Sequence, residues 1–368
     1  MSEDPVLSLL AEDPSRPVHS TVRDIFATLW LALGFFSLYS GYNALQTLLP
    51  LQRPVDGPFT IALSYFAYSI AALLTPARTL LLRRLALSAA AVTFAGWIVS
   101  TQYSDLFLAS MSVLNGAGAG ILWSTEGGWL ASQNPQHSGR ISSTILAAFH
   151  LATIAGQLTA QFSSDNVTLI ALISSCTAAI LFLCTPNRWL GPAAEITARP
   201  PLSLLVASEW RNLIPAIITF GLASSLIWVY MPQRLMEEDM SWGFIVFAAT
   251  SAILFLPFGA LADRYDVTVM FRTAAIVHTC LWLFLAITSA GSGEPLLYMA
   301  IAALANTLLN QAIVQRQTQL GELASIAFAY QVSLYCLSYA LGSTLIAYDF
   351  RITSGLLFGS AFLTLVFA

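Results

Sequence analysis

Long apolar stretches recur along the whole chain and are separated by short polar segments. A helix needs about 20 apolar residues to cross the hydrocarbon core of a bilayer, where an open strand would leave backbone groups unpaired. The stretches of this length predict twelve transmembrane helices, over residues 24–49, 59–82, 85–103, 106–132, 141–162, 166–186, 212–233, 242–261, 269–289, 295–315, 325–346 and 350–368. The chain is therefore predicted to be an all-α polytopic membrane protein.

The longest interruption, residues 187–211, is rich in proline and charge and leaves six predicted spans on either side. This division predicts a polar tail over 1–23, a six-helix half over 24–186, a linker over 187–211 and a second half over 212–368. Two pseudo-symmetric halves are typical of parallel-repeat transporters, whose substrate sites lie near the midplane. A twelve-span channel or enzyme without a repeat is the alternative. The last span ends at Ala368 without a polar tail, which suggests a truncated C-terminus.

All 15 basic residues are arginine, and threading the spans through a bilayer places twelve of them on one side. The twelve are Arg16, Arg23, Arg78, Arg83, Arg84, Arg140, Arg188, Arg199, Arg211, Arg264, Arg272 and Arg316. Because cytoplasmic loops retain arginine, the N-terminus and the linker are predicted to be cytoplasmic. The pattern leaves open whether the membrane is the plasma membrane or an endolysosomal or vacuolar one.

Composition agrees with a membrane protein and excludes several other classes. Charged residues make up 9% of the chain, against about 25% in soluble domains. No basic patch suggests nucleic-acid binding. The histidines are scattered, the chain has no lysine, and neither Cys-x-x-Cys nor His-Glu-x-x-His occurs. The sequence therefore predicts no enzyme activity, no cofactor and no metal site, and its expected partners are the lipid bilayer and a small solute or ion.

Polar side chains share single helical faces on several predicted spans. The candidates for a substrate pathway are Asn43, Gln46, Asn115, Glu126, His150, Gln157, Asn306, Asn310, Gln311 and Gln331. Lipid satisfies none of these groups, so they need either a shared wet cavity or hydrogen bonds between helices. The cavity is the simpler account, and bonds that merely hold a bundle together are the alternative.

Two ionisable residues stand out among these candidates. Glu126 is the one acid well inside a predicted span, and a carboxylate there is costly unless it faces a cavity, finds a donor or carries a proton. It is the predicted proton- or cation-linked group, unless it lies near the cytoplasmic end and reaches the interface. His150 shares a face with Thr153, Gln157 and Gln161, which is predicted to line the interior. It could shuttle protons, and a hydrogen-bonded structural histidine is the alternative.

The loop after span 8 reads Gly-Ala-Leu-Ala-Asp-Arg over residues 259–264. It resembles the Gly-x-Leu-x-Asp-Arg signature of the major facilitator superfamily. There the aspartate lies near a neighbouring helix N-terminus, pairs with an arginine and forms a cytoplasmic latch between the halves. The resemblance implies such a latch at Gly259, Asp263 and Arg264, and a tight turn with a solvated ion pair is the alternative. The corresponding loop of the first half, residues 74–84, has no Asp-Arg pair.

One branch of that superfamily also resembles this chain. Residues 116–130, Gly-Ala-Gly-Ala-Gly-Ile-Leu-Trp-Ser-Thr-Glu-Gly-Gly-Trp-Leu, are similar to a Gly-rich segment of the uncoordinated-93-like family. Weaker similarity is found in span 1 and in residues 306–311 and 327–331. Glu126 stands where that family usually has Gln, and Asn306 stands where Asp is common.

These resemblances imply two different functions. The superfamily implies a transporter that moves a small solute or ion by alternating access. The uncoordinated-93-like branch implies a non-transporting accessory protein that regulates a potassium channel or escorts membrane receptors. A transporter needs a continuous polar cavity and a two-state latch, whereas an accessory protein needs only a stable bundle with an adhesive face.

Overall fold

Helices form nearly all of the described fold. The computed structural model describes residues 21–53, 56–75, 83–131, 138–186, 189, 208–231, 237–287, 295–320 and 324–367. No strand forms within these ranges, and the long helices are α1 Thr21–Gln52, α2 Asp56–Leu74, α3 Arg83–Ser100, α4 Asp105–Ala131, α5 Ser138–Phe162, α6 Val167–Leu183, α7 Ser208–Ser225, α8 Glu237–Ala262, α9 Val267–Ile287, α10 Pro295–Thr318, α11 Ala324–Tyr348 and α12 Phe350–Phe367. The all-α, twelve-helix prediction is confirmed.

Two features of the helices differ from what the hydropathy pattern predicts, apart from shifts of a few residues at other helix ends. The predicted second span runs to residue 82, but α2 ends at Leu74. Pro76 follows closely, and a proline disfavours the helical conformation in the residue that precedes it. The second difference is a π-helical turn, Leu226–Tyr230, that continues α7. An apolar pattern cannot reveal such a turn, because it changes the hydrogen bonding and not the polarity of the residues.

The distribution of apolar side chains is that of a protein surrounded by lipid. In the described residues, α1, α2, α4, α5, α7, α8, α9 and α10 are long and apolar enough to cross a membrane, and α3, α6 and α12 are apolar but shorter. Large apolar side chains such as Leu106, Ile180 and Ile253 are exposed on the outside, while Asn43 and Gln157 are buried. A soluble protein shows the opposite arrangement. The protein is therefore a multi-pass membrane protein.

Helix packing repeats with a shift of six helices. α1 packs on α5 and α6 as α7 packs on α11 and α12, and α2 packs on α4 as α8 packs on α10. Between the halves, α5 runs along α8 and α2 along α11, two pairs that the same shift relates. The predicted tail and linker, residues 1–23 and 187–211, fall mostly outside the described residues, so the domain bounds stay a prediction.

Glycines allow two helix pairs to touch at their backbones. A Cβ atom on Gly116 of α4 would overlap the carbonyl oxygen of Ser64 on α2. A Cβ atom on Gly156 of α5 would likewise overlap the carbonyl oxygen of Ser40 on α1. Small residues are how membrane helices approach closely without a hydrophobic driving force. These contacts set the spacing of four helices that surround the interior of the first half.

Candidate functional site

A cavity of about 160 Å³ lies between the two halves. It is lined by α1 to α5 on one side and by α7, α8, α10 and α11 on the other. Its polar lining consists of Asn43, Gln46, Ser64, Glu126, Ser142, His150, Ser224, Asn306, Thr307, Asn310 and Gln331, together with tyrosines. Polar groups from both halves therefore converge on one shared space, as a binding site at a repeat interface requires.

Seven of the predicted pathway residues line this cavity: Asn43, Gln46, Glu126, His150, Asn306, Asn310 and Gln331. The structure therefore brings together polar residues from α1, α4, α5, α10 and α11. Their roles in binding remain predictions, because position alone does not assign them.

The other three predicted pathway residues are buried beside the cavity and bind neighbouring helices. Asn115 Nδ2 donates to Ser64 Oγ at 3.4 Å, and Gln157 Nε2 donates to Thr47 Oγ1 at 2.8 Å. Gln311 Nε2 donates to the Gly139 carbonyl at 3.0 Å.

The polar face of α5 is buried over fewer turns than the helical spacing of its polar residues predicts. Thr153 Oγ1 accepts a hydrogen bond from Asn43 Nδ2 at 2.8 Å, which ties α5 to α1. Gln161, one turn beyond Gln157, is exposed, so the prediction that it lines the interior is wrong. Gln161 lies in the last turn of α5, where the helix emerges from the bundle. Helical spacing predicts a face correctly but cannot show where neighbouring helices stop covering it.

Several buried polar atoms on the cavity wall have no hydrogen-bond partner among the described residues. They are His150 Nδ1, Asn306 Oδ1, Thr307 Oγ1 and Gln331 Oε1. An unpaired buried polar atom is costly, and native structures seldom leave several of them together without a use. These atoms are therefore available to a bound solute or to water. Nothing in the sequence distinguishes Thr307, because a single threonine is common in apolar helices.

Glu126 is held on the cavity wall by a close helix contact. A Cβ atom on the adjacent Gly127 would lie 2.7 Å from Phe328 Cβ on α11, so α4 and α11 are nearly in backbone contact there. Trp123, one turn before Glu126, donates its indole N–H to Tyr39 Oη on α1. Glu126 is the one acidic residue that lines the described part of the cavity. The packing therefore directs its carboxyl group toward the space between the halves.

Aromatic rings make up a large part of the wall, since thirteen of the twenty-nine lining residues are Phe, Tyr or Trp. Tyr65 of α2 and Tyr339 of α11 stack with their ring centroids 3.8 Å apart, and Gln46 Nε2 lies 3.5 Å from both hydroxyls. We call Tyr65 and Tyr339 the tyrosine pair. The sequence does not reveal this pair, because aromatic residues in an apolar span add no polar signal.

Asp263 joins the halves at one end of the bundle, which we call the latch end. Its carboxylate accepts hydrogen bonds from the backbone N–H groups of Gly139 at 2.8 Å and Arg140 at 3.1 Å. Arg140 Nε lies 3.8 Å from Asp263 Oδ2, and the Asp263 side chain is only 4% exposed. A residue at the end of α8 thus caps the N-terminus of α5, where negative charge is stabilised by the helix dipole.

The latch end contains further contacts between the halves. Ser138 Oγ lies 3.0 Å from Thr318 Oγ1 and donates to Gln315 Oε1 at 3.1 Å, which joins α5 to α10. Gly259 is packed tightly, because a Cβ atom there would lie 2.5 Å from the Gly139 carbonyl oxygen. Arg264 is exposed, whereas Arg140 lies beside the Asp263 carboxylate. Gly259 and Asp263 therefore lie at the half interface, while Arg264 is exposed.

Residues 76–343 match the Major Facilitator Superfamily. The chain belongs to this family. Among solved structures it is similar to the human organic anion transporter MFSD10 (TETRAN), with a TM-score of 0.73, 14% identity, and coverage of 94% of this chain and 98% of that chain. It is also similar to the major facilitator transporter FucP in the outward conformation, with a TM-score of 0.65, 12% identity and the same coverage. At these identities the likeness is one of fold. No curated protein matches the chain.

Proposed function

We propose that this family member is a secondary transporter that moves a small solute or ion by alternating access. The observation that carries the proposal is the cavity between the halves, with unpaired polar atoms on α5, α10 and α11. A purely structural bundle gains nothing from leaving several buried polar groups without partners. A site between two packed units is also where rocking of one unit against the other changes access.

Contacts at two levels of the bundle could open in turn. Asp263 and Ser138 hold the latch end, and the tyrosine pair joins α2 to α11. Each level includes polar or ring contacts between the halves, which can separate without unfolding a helix. A solute that binds one arrangement better than the other shifts the populations between them. Glu126 is the proposed proton- or cation-linked group, because a carboxylate at this depth needs one of those partners.

The accessory role remains the second candidate. It rests on the Gly-rich segment of residues 116–130 and its similarity to the uncoordinated-93-like family. Such a protein would use a surface of the bundle to bind a channel or receptor in the membrane. It would not need its halves to move, so blocking their movement separates the two candidates.

A reversible disulfide across the latch end tests alternating access. The Ser138 and Thr318 hydroxyls are in contact, so a cysteine pair at these positions comes close to disulfide spacing. In a background in which the native cysteines Cys176, Cys184, Cys280 and Cys336 are replaced by alanine, we expect Ser138→Cys/Thr318→Cys to lock this end shut. Uptake of a mixture of small cations, anions and neutral solutes into proteoliposomes is measured by mass spectrometry. At least one component should accumulate, fall to the level of protein-free vesicles on oxidation, and recover with dithiothreitol.

A matched pair controls for the disulfide itself. Thr219 Oγ1 lies 3.0 Å from Ser360 Oγ, the same spacing, but α7 and α12 belong to one half. Oxidised Thr219→Cys/Ser360→Cys should therefore transport as well as the reduced form. Uptake of no component, or uptake insensitive to the latch-end disulfide, would contradict alternating access and favour the accessory role.

A further inference from the structure

The charge of the cavity wall is one-sided. Among the described lining residues, Glu126 is the one member of the Asp, Glu, Lys and Arg group. The chain has no lysine, and none of the described arginines lines the cavity. An anion in the cavity would thus meet a carboxylate and no fixed positive charge. A cation would meet an opposite charge in a medium where that attraction is screened much less than in water.

Aromatic rings lie beside this carboxylate. Tyr39, Trp123 and Phe149, from α1, α4 and α5, contact one another with ring centroids 4.7 to 5.9 Å apart. All three line the cavity, and Trp123 is one helical turn from Glu126. The face of an aromatic ring attracts a cation, and this attraction increases when the cation is desolvated. A carboxylate and aromatic rings that line the same cavity are a combination that suits an ammonium group.

The rest of the wall favours an organic cation over a metal ion. Metal ions such as Ca²⁺ need six to eight oxygen ligands, whereas thirteen of the twenty-nine lining residues here are Phe, Tyr or Trp. The unpaired oxygens of Asn306, Thr307 and Gln331 are hydrogen-bond acceptors on the opposite half. Neutral His150 would add Nδ1 as another acceptor. These groups suit the N–H donors of an amine or the hydroxyl groups of an amino alcohol.

The size of the cavity limits the ligand. Its volume is about 160 Å³. An apolar protein cavity of about 150 Å³ is known to bind benzene. A ligand with one ring and a small charged group would therefore fill most of the cavity in this arrangement of the helices.

We infer that the cavity selects small organic monocations bearing about one ring, with Glu126 neutralising the charge and the Tyr39, Trp123 and Phe149 rings receiving the ammonium group. Transport of such a cation rests on the proposed function, but its binding does not. The cavity would therefore select ligands by charge whether the protein is a transporter or an accessory protein.

Binding to purified protein tests the selectivity with three matched probes. Phenyltrimethylammonium is permanently positive, benzenesulfonate is permanently negative, and benzyl alcohol is neutral, yet each carries one phenyl ring. We expect calorimetry to show phenyltrimethylammonium binding at least tenfold more tightly than the other two. Equal binding of the three probes, tighter binding of benzenesulfonate, or no binding of any would overturn the inference.

Substitutions place the binding in the cavity. Glu126→Gln keeps the shape of the side chain and removes its charge, so we expect the affinity for phenyltrimethylammonium to fall tenfold or more. Asp165→Asn makes the same chemical change at an exposed position between α5 and α6 and should leave the affinity unchanged. Trp123→Leu should also weaken cation binding. A thermal unfolding curve for each variant separates loss of binding from loss of folding, and unchanged affinity in folded Glu126→Gln would refute the assignment.

The uptake assay then distinguishes the two proposals. Binding of phenyltrimethylammonium together with its disulfide-sensitive uptake supports both. Binding without uptake of any solute supports the cation site and contradicts transport. Disulfide-sensitive uptake of an anion or a neutral solute, without cation binding, supports transport and overturns the cation site.

Discussion

Asp263→Asn is expected to open the latch end and expose residues that are now buried there. The Asp263 carboxylate accepts two backbone hydrogen bonds at the start of α5 and lies beside Arg140. A hydrogen bond to a charged group contributes about 1.5–3 kcal/mol, and a charge at a helix end about 0.3–1 kcal/mol. Asparagine keeps one acceptor oxygen and loses the charge. A loss of ~1.4 kcal/mol already shifts a two-state equilibrium about tenfold.

Labelling of a cysteine at Ser138 measures this opening. Ser138, the first residue of α5, is fully buried against α10. A charged maleimide therefore reaches a cysteine there only when the latch end separates. We expect Asp263→Asn to increase the labelling rate about tenfold or more. Asp266→Asn is the matched control, because Asp266 is exposed in the same loop and accepts from the Thr268 backbone N–H of its own half. Equal labelling of the two variants would show that Asp263 does not hold the halves together.

Gly116→Val is expected to prevent folding of the first half. The space where its side chain would stand is occupied by the Ser64 carbonyl oxygen of α2, and the methyl group of Ala67 lies 3.1 Å away. Overpacking of a core by side chains costs about 1–3 kcal/mol. Here the obstacle is backbone, which cannot turn aside, so we expect a cost at or above that range. α2 and α4 would be forced apart, and both of them line the cavity.

The yield and thermal stability of purified protein measure this effect. We expect Gly116→Val to give little monodisperse protein, and any that is recovered to unfold several degrees lower. Gly355→Val in α12 is the matched control, because a Cβ atom on Gly355 would have no other atom within 4 Å. It should have the stability of the unaltered chain. A stable Gly116→Val protein would mean that α2 and α4 do not pack in backbone contact.

Not all of the polar residues that stand out in the apolar spans belong to the cavity. Glu126 is conspicuous because charge is rare in apolar spans, and it does line the cavity. Asn115 and Gln157 have the same polar character, yet they bond to Ser64 and Thr47 of neighbouring helices. A one-dimensional pattern shows that a buried polar group needs a partner but not whether that partner is a helix or a cavity.

In the latch, too, the sequence predicted one feature and only the tertiary structure revealed another. The resemblance of residues 259–264 to the family signature implied a contact between Asp263 and a neighbouring helix, and the structure contains one. The resemblance could not identify Arg140 as the nearby arginine, because residues 140 and 263 are brought together only by the packing of α5 on α8. The tyrosine pair is a stronger case, since Tyr65 and Tyr339 belong to apolar runs and nothing in either run distinguishes them.

The sequence by itself determined that this is a membrane protein built of twelve helices, because burial of apolar residues in lipid and full pairing of the backbone depend on local composition and length. It also determined which family signature the chain carries. Only the tertiary structure decided which polar groups face one another and which remain unpaired around a common space. That choice depends on the rotation and spacing of helices distant in sequence, which glycine contacts and interhelical hydrogen bonds set together.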